Sequence, residues 1–466
     1  MENEPKDNQP SAHSLIRGVV DACADCDICR FLMEDSCLFF PELYRLHDRE
    51  KEQGLTPSDE ALDRLADMCT LCGLCPCANI RTDIVRSKAA RVRERGLPLG
   101  LRMLADVQGV GRLGSCFPKL INTALRVGPA AKAAKRAAGI SQKRDLPALP
   151  PEDFFSWAEK NNQTRKPDRL PAVAYFAGCT AGYLFPEVAK AAVKILEKNG
   201  LPVYVPPQQC CGMPTLLEGM EPLTHTRVQK NLDSLLAAVD AGFDLVSACP
   251  TCGFFMKVLL REGAHYSEAY QQAAGAGADE IRLPGTGRNK GGHTFLHKSI
   301  YGKILMDNPS FAGIDPLARI RLSEALLDMG AYLERMHREA RFDTNLGRMA
   351  RRMVYFAPCH QREQNIGSPY ETLLALVPDL ELRRIGASMD CCGMGGSLGF
   401  KASFHDASVR LGRPLAEKIR AASPEAIVTD CLSCRLQFRQ LLPSVPVFHP
   451  LEIIASAYGL LHFDGS

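Results

Sequence analysis

The chain has a single tryptophan, Trp157, and aromatic residues make up only 7% of its 466 positions. No run of eighteen apolar residues occurs, so no segment is expected to span a bilayer. Met1 to Arg17 is polar and mixed in charge, without the apolar stretch of a secretory leader. A reducing, cytoplasmic setting is therefore expected, where thiols stay reduced or hold metal. The formal net charge of +3 gives no ground for a nucleic-acid partner. Against these absences stands one abundance. Nineteen cysteines, an odd number and often spaced C-x-x-C, point to ligands rather than disulfides.

The cysteines form three groups. Eight are Cys23, Cys26, Cys29, Cys37, Cys69, Cys72, Cys75 and Cys77; five are Cys179, Cys210, Cys211, Cys249 and Cys252; five more are Cys359, Cys391, Cys392, Cys431 and Cys434. Cys116 stands alone and is expected to be a small buried apolar residue. The two groups of five repeat at an offset of 180 to 182 residues, and their flanks repeat too. VAYFAGC (173–179) resembles VYFAPC (354–359), CCGMP (210–214) resembles CCGMG (391–395), and FDLVSACPTC (243–252) resembles EAIVTDCLSC (425–434). Shared order, spacing and flanks mark a duplicated domain.

Each copy reads as α/β. Val173 to Phe176 is an apolar strand, and helical periodicity follows through Val188, Ala192, Ile195 and Leu196. Leu245-Val246 reads as a buried strand, C-P-T-C as a turn and Phe254 to Leu260 as a helix; Ile427-Val428 and Leu432 to Leu442 match them. Cysteines at strand ends that open helices stand where open-sheet proteins place ligand sites.

Ahead of the repeats, Arg81 to Asp145 holds fifteen Lys/Arg against four Asp/Glu, a local net of +11. Leu120, Ile121, Ala124 and Leu125 are interleaved at helical spacing, as in a segment that lies on an anionic membrane surface. A solvated linker whose helices pack on the next domain fits the same pattern.

The first eight cysteines read C-x2-C-x2-C-x7-C and C-x2-C-x2-C-x-C. Three thiolates at that spacing wrap one iron–sulfur cube, and in two-cluster ferredoxins the fourth crosses to the other cluster. Cys23, Cys26, Cys29 and Cys77 are thus expected to hold one [4Fe–4S] cluster, and Cys69, Cys72, Cys75 and Cys37 a second. The last gaps depart from the usual three residues followed by Pro. Two tetrahedral zinc sites use the same eight thiolates, but a triple run occurring twice favours iron–sulfur. In the repeats, the motif C-x30/31-CC-x37/38-C-x-x-C supplies one thiolate more than tetrahedral zinc takes.

This five-cysteine pattern resembles the cysteine-rich CCG domain of heterodisulfide reductase. The whole chain resembles the C subunit of anaerobic glycerol-3-phosphate dehydrogenase and the D subunit of heterodisulfide reductase, and iron–sulfur subunits of glycolate and lactate oxidation are similar. The resemblance implies an α+β protein: a mainly helical two-cluster ferredoxin-like head over residues 1–100, a basic amphipathic linker over 101–170, a first CCG domain over 171–345 and a second over 346–466. It implies two further [4Fe–4S] clusters, of non-cubane type, on the two five-cysteine sets. The expected role is an electron-transfer subunit between a flavoprotein dehydrogenase partner and a quinone or other acceptor, peripheral on the inner face of the cell membrane. Because both five-cysteine sets are complete, a catalytic disulfide reductase is the alternative. A zinc scaffold that binds partners is the third reading. Residues 262–308 exceed what such subunits usually need and are expected to contact a partner.

Other signals are discounted. GVGRLG (109–114) has dinucleotide-fingerprint spacing but no preceding strand, so no flavin or nicotinamide site is expected. The Gly-rich stretch ending at His293 lacks the Lys-Ser/Thr of a phosphate loop and reads as a mobile loop. His360 is expected to hydrogen-bond backbone, and His449-Pro450 to join a strand to a helix.

Overall fold

The computed structural model describes residues 10–126, 128–285, 291–302 and 304–461. Within it residues 10–100 form a helical head. Ser11 opens helix Ala12–Cys26 by accepting from the Ser14 amide, and Ser58 opens Asp59–Met68 through the Ala61 amide. With Phe39–Gln53 and Ala78–Arg95 these helices enclose Ile16, Val20, Leu43, Leu65 and Ile84.

Four more helices follow, Leu99–Ala105, Val107–Cys116, Pro118–Arg126 and Gly128–Ala137. They are packed, not a free linker. Ala105, Gln108, Gly111 and Gly114 are buried, with Gly111 pressed on the Tyr183 side chain and Gly114 on Leu149. The opposite face exposes Leu99, Leu113, Phe117 and Leu120, each at least 66% accessible. One face thus packs on the neighbouring domain, and the other leaves its apolar side chains uncovered. GVGRLG lies inside the helix Val107–Cys116, with no strand before it. Cys116 corrects the expectation of burial. Gly111 and Gly114 define the buried stripe, and two residues further on the helix has turned to solvent, so Cys116 is exposed.

The first five-cysteine copy is built on β1 (Val173–Phe176), β2 (Val203–Tyr204) and β3 (Asp244–Ser247). A hairpin of β4 (Glu280–Pro284) and β5 (His293–His297) follows, and then β6 (Leu326–Asp328). The expected mobile loop is the connection of this hairpin; its residues 286–290 lie outside the described residues. The second copy uses β7 (Arg351–Tyr355), β8 (Leu380–Arg384), β9 (Ala426–Val428) and β10 (Val447–Phe448). Both sheets are wholly parallel, with orders β2-β1-β3-β6 and β8-β7-β9-β10, the same topology twice. In each, chain order reverses between the first and third strands of the copy. A crevice opens at the carboxyl ends of those strands, where ligands bind in open sheets. Cys179 follows β1 and Cys249 follows β3; Cys359 follows β7 and Cys431 follows β9.

The two copies share one apolar core containing Tyr175, Val246, Met329, Tyr355, Leu373 and Leu451. Helix Pro186–Lys198 packs on Pro450–Ala457, and Met329–Arg338 packs on Pro369–Leu374. Those two contacts exchange corresponding helices, so the copies meet about a pseudo-twofold axis.

Candidate metal centres

The head's cysteine loops curl because residues inside them adopt left-handed backbone. Asp27 (φ 56°) lies between Cys26 and Cys29, and Leu71 (φ 53°) and Gly73 (φ 90°) lie among Cys69, Cys72 and Cys75. Non-glycine residues occupy that region at a cost and concentrate at functional sites. Burial, then the neighbouring Cys29, Cys77 and Cys26 thiolates, push Cys23 up to about 12. Burial pushes Cys37 to about 12, with Cys69 and Cys75 as its charged neighbours. Cys72 is raised well above its ordinary value by burial and by Cys359 and Cys37. Cys77 thus lies near the first run and Cys37 near the second. Cys75 is pushed to about 11 by burial and also feels Cys29 across the gap, so the two sets adjoin. Met33, Phe39, Phe40, Leu71 and Ile80 wall a cavity that holds Cys37, Cys69, Cys72 and Cys75.

Cationic donors frame the second set. Arg81 donates to the Cys75 carbonyl at 2.6 Å and to Glu262 at 2.7 Å. Lys88, buried, donates to the Cys69 carbonyl at 3.0 Å.

In the first copy all five cysteines converge. Sγ of Cys179 and Cys210 are 3.2 Å apart, Cys211 bonds both Cys210 and Cys252, and Cys249 bonds Cys252. Contacts with Cys179 and Cys211 hold Cys210 well below its ordinary value, whereas Cys179 and Cys211 are raised. The second copy repeats this with Cys392 as the acceptor of Cys391 and Cys434, the latter 3.0 Å away. Burial lifts Cys359 to about 12, with Cys392 and Cys431 as charged neighbours. Among the described residues, no three His, Cys, Asp or Glu side chains close on a point as a single metal ion requires. Five thiols in each copy exceed the four ligands of a tetrahedral zinc site.

The expected C-P-T-C turn is instead a helix start. Cys249 is the N-cap of Pro250–Phe254, which continues as a π-helical turn over Phe255–Leu259. Cys431 likewise caps Leu432–Leu441. Thiolates at helix N-termini meet the positive end of the helix dipole.

Several polar residues that shape the sites were not singled out from sequence. Gln108 accepts from the Cys210 amide at 2.8 Å, Gln208 accepts from the Ala177 amide at 2.9 Å, and Asn231 donates to the Cys210 carbonyl at 3.2 Å. Of these only Gln208, two residues before Cys210-Cys211, carries a local hint. In the second copy Gly393 (φ 83°) approaches so closely that a Cβ would lie 2.2 Å from the Ser408 carbonyl. Gly393→Ala is therefore expected to cost about 2–4 kcal/mol of stability and to empty the second five-cysteine site alone. Urea unfolding together with iron content checks this.

His360 bonds backbone as expected and more, with Nε2 3.0 Å from the Leu71 carbonyl and Nδ1 3.0 Å from the Thr251 hydroxyl. His449 is the N-cap of Pro450–Ala457, directly after β10.

Eight cysteines on a helical head and two five-cysteine sets on paired parallel sheets mark an iron–sulfur protein. The cysteine-rich domain family, CCG, matches residues 173–257 and 353–439. The chain is 24% identical over 80% of its length to the C subunit of anaerobic glycerol-3-phosphate dehydrogenase from Escherichia coli (strain K12), covering 81% of that protein. It is 25% identical over 61% of its length to the B subunit of fumarate reductase (CoM/CoB) from Methanothermobacter marburgensis, covering 46% of it. Lactate utilization protein A of an Exiguobacterium species is 23% identical over 61% of this chain and 95% of its own.

Proposed function

We propose that this chain is the iron–sulfur electron-transfer subunit of an oxidoreductase, carrying electrons from a flavoprotein dehydrogenase partner to a quinone at a membrane surface. Bound at the four cysteine sets, iron–sulfur clusters would take up and release one electron at a time. The protein's part is to supply thiolates, bury them and hold them in sequence. The observation that carries the reading is their contiguity: Cys75 neighbours Cys29, and Cys72 neighbours Cys359. Cys26 and Cys77 are exposed on the head, and the other cysteines of the four sets are at least partly covered. Electrons arriving there face a short way in and a dry interior beyond. Cys23, Cys26, Cys29 and Cys77 form the outer ligand set, and Cys37, Cys69, Cys72 and Cys75 the inner one. The five-cysteine sets carry the remaining two clusters. The disulfide-reductase alternative is not favoured by the relatives above.

Anaerobic reduction followed by mixing with a water-soluble quinone or a small disulfide tests the role. Reoxidation by the quinone alone is expected; turnover of the disulfide alone would overturn it.

The exposed apolar side chains of residues 99–120 stand among Arg102, Arg112 and Lys119, and no helix among the described residues is long and apolar enough to cross a membrane. This face supports peripheral attachment to anionic lipid. Wild-type protein is expected to sediment with vesicles containing about 30% phosphatidylglycerol, held by one apolar face plus a few cations. The variant Leu113→Asp/Phe117→Asp is expected to stay in the supernatant. Residues 262–308, which expose Phe295, Ile300, Ile304 and Met306, are the second candidate surface, for the protein partner.

A further inference from the structure

The head touches both CCG domains at one side chain. His360 directly follows Cys359 of the second five-cysteine set. The Leu71 carbonyl only accepts, so Nε2 carries the hydrogen and Nδ1 accepts from the Thr251 hydroxyl. Leu71 precedes Cys72 of the inner head set, and Thr251 lies between Cys249 and Cys252 of the first five-cysteine set. The imidazole also stacks on Phe254, with ring centres 4.7 Å apart and planes 8° from parallel. Gln364 locks the arrangement by donating to the Pro250 carbonyl at 3.0 Å and the His360 carbonyl at 2.8 Å. Gly73 completes it, since a Cβ there would lie 3.0 Å from the Phe254 ring.

We infer that His360 is a positioning residue that registers the inner head set against both five-cysteine sets, making one junction through which electrons leave the head. This rests on the electron-transfer reading above. The duplication itself argues for a dedicated role. Thr180 stands at the matching place after Cys179, and its hydroxyl is 4.0 Å from the Cys179 sulfur. Its hydroxyl has no contact with the head among the described bonds. Only one copy therefore carries the junction, and the two CCG domains are not equivalent recipients. At His360 the second is joined to the head through the backbone of Cys359-His360, whereas the first is joined there through the Thr251 hydroxyl and the Phe254 ring. An electron that crosses leaves its donor oxidised by one and its recipient reduced by one; no bond is made or broken, and no proton moves.

The test uses the full-length, iron-loaded chain and the variants His360→Ala, His360→Gln and Thr251→Val. After pulsed photoreduction with deazaflavin, freeze-quenched electron paramagnetic resonance follows how the electron spreads among the sites. His360→Ala is expected to slow filling of both five-cysteine sites about tenfold or more, the scale of losing a supporting partner of a ligand. Thr251→Val is expected to slow only the first site, and His360→Gln, which keeps a donor toward Leu71, to fall between. Wild-type rates in both His360→Ala and Thr251→Val would overturn the junction, as would a slowing of both sites by Thr251→Val. If His360→Ala fails to hold iron at the second site, Thr251→Val and His360→Gln decide the matter. A second measurement needs no iron. Hydrogen exchange of residues 69–75 is expected to quicken about tenfold or more in His360→Ala, as two hydrogen bonds are lost. Unchanged exchange would overturn the positioning role, whereas a wild type without iron signals would instead overturn the electron-transfer reading.

Discussion

Protein purified under strict anaerobiosis is expected to contain about sixteen iron and sixteen acid-labile sulfide per chain, four of each for every cysteine set. The expectation rests on all four sets being assembled, and single substitutions dissect it. Cys392 is bonded by Cys391 and Cys434 and neighbours Cys359, so it stands at the centre of its set. Cys392→Ser is expected to bring iron to about twelve and to remove one spectroscopic species while sparing the rest. Cys116→Ser is the control. Its sulfur is exposed on the helix Val107–Cys116 and bonds only the Arg112 carbonyl among the described bonds, so iron is expected to stay at wild-type level. About eight iron in the wild type would mean that the head or the CCG pair is empty, and zinc with little iron would overturn the electron-transfer reading. Chelation is expected to loosen the head most, because Cys23 and Cys29 belong to its small core.

The second large effect is expected from Glu218. This carboxylate lies just past Cys210-Cys211 and accepts from Lys401 at 2.8 Å and from the Ser397 hydroxyl at 2.5 Å. Both donors follow Cys391-Cys392 of the other copy, and the pair is at least 95% buried. Buried Lys88 of the head also senses Glu218, along with Asp67 and Cys69; burial still holds its ammonium below the ordinary value. Removing the carboxylate leaves the Lys401 ammonium without its ion-pair partner in a low-dielectric interior and takes from Lys88 one of the charges that favour its ammonium form. Glu218→Ala is expected to destabilise by about 3–5 kcal/mol, the cost of breaking a buried ion pair from one side. The double variant Glu218→Gln/Lys401→Met removes both charges and is expected to recover much of that loss. Urea titration of the iron-loaded protein, read at its first transition because several domains unfold, checks both. Equal losses in single and double variants would show that the charges are not what matters there.

Much of this arrangement is legible in the chain itself. Val173 to Phe176, Leu245-Val246 and Ile427-Val428 are apolar runs too short for helices, and each forms a strand. The nearness of Cys77 to the first triple run and of Cys37 to the second is legible too, because a triple run restricts which fourth thiol can reach it. What local pattern does not carry is contact over long separations. Nothing around Gln108 announces that it caps the Cys210 amide 102 residues away, and Leu71 and His360 are 289 residues apart. The burial of one face of residues 99–116 is likewise hidden, because small residues such as Gly111 and Gly114 mark a packed stripe without apolar bulk. Cys116 misleads for the converse reason: its type favours burial, and its angular position on the helix decides otherwise.

The exchanged helix contacts between the CCG domains reach beyond this one chain. A surface that meets its own duplicate about a twofold axis is self-complementary, so a protein with one CCG domain of this shape would pair with a second copy of itself. The duplication thus reads as a dimer made covalent. Once fused, the two halves no longer had to stay identical, and one was free to keep a threonine where the other took a histidine.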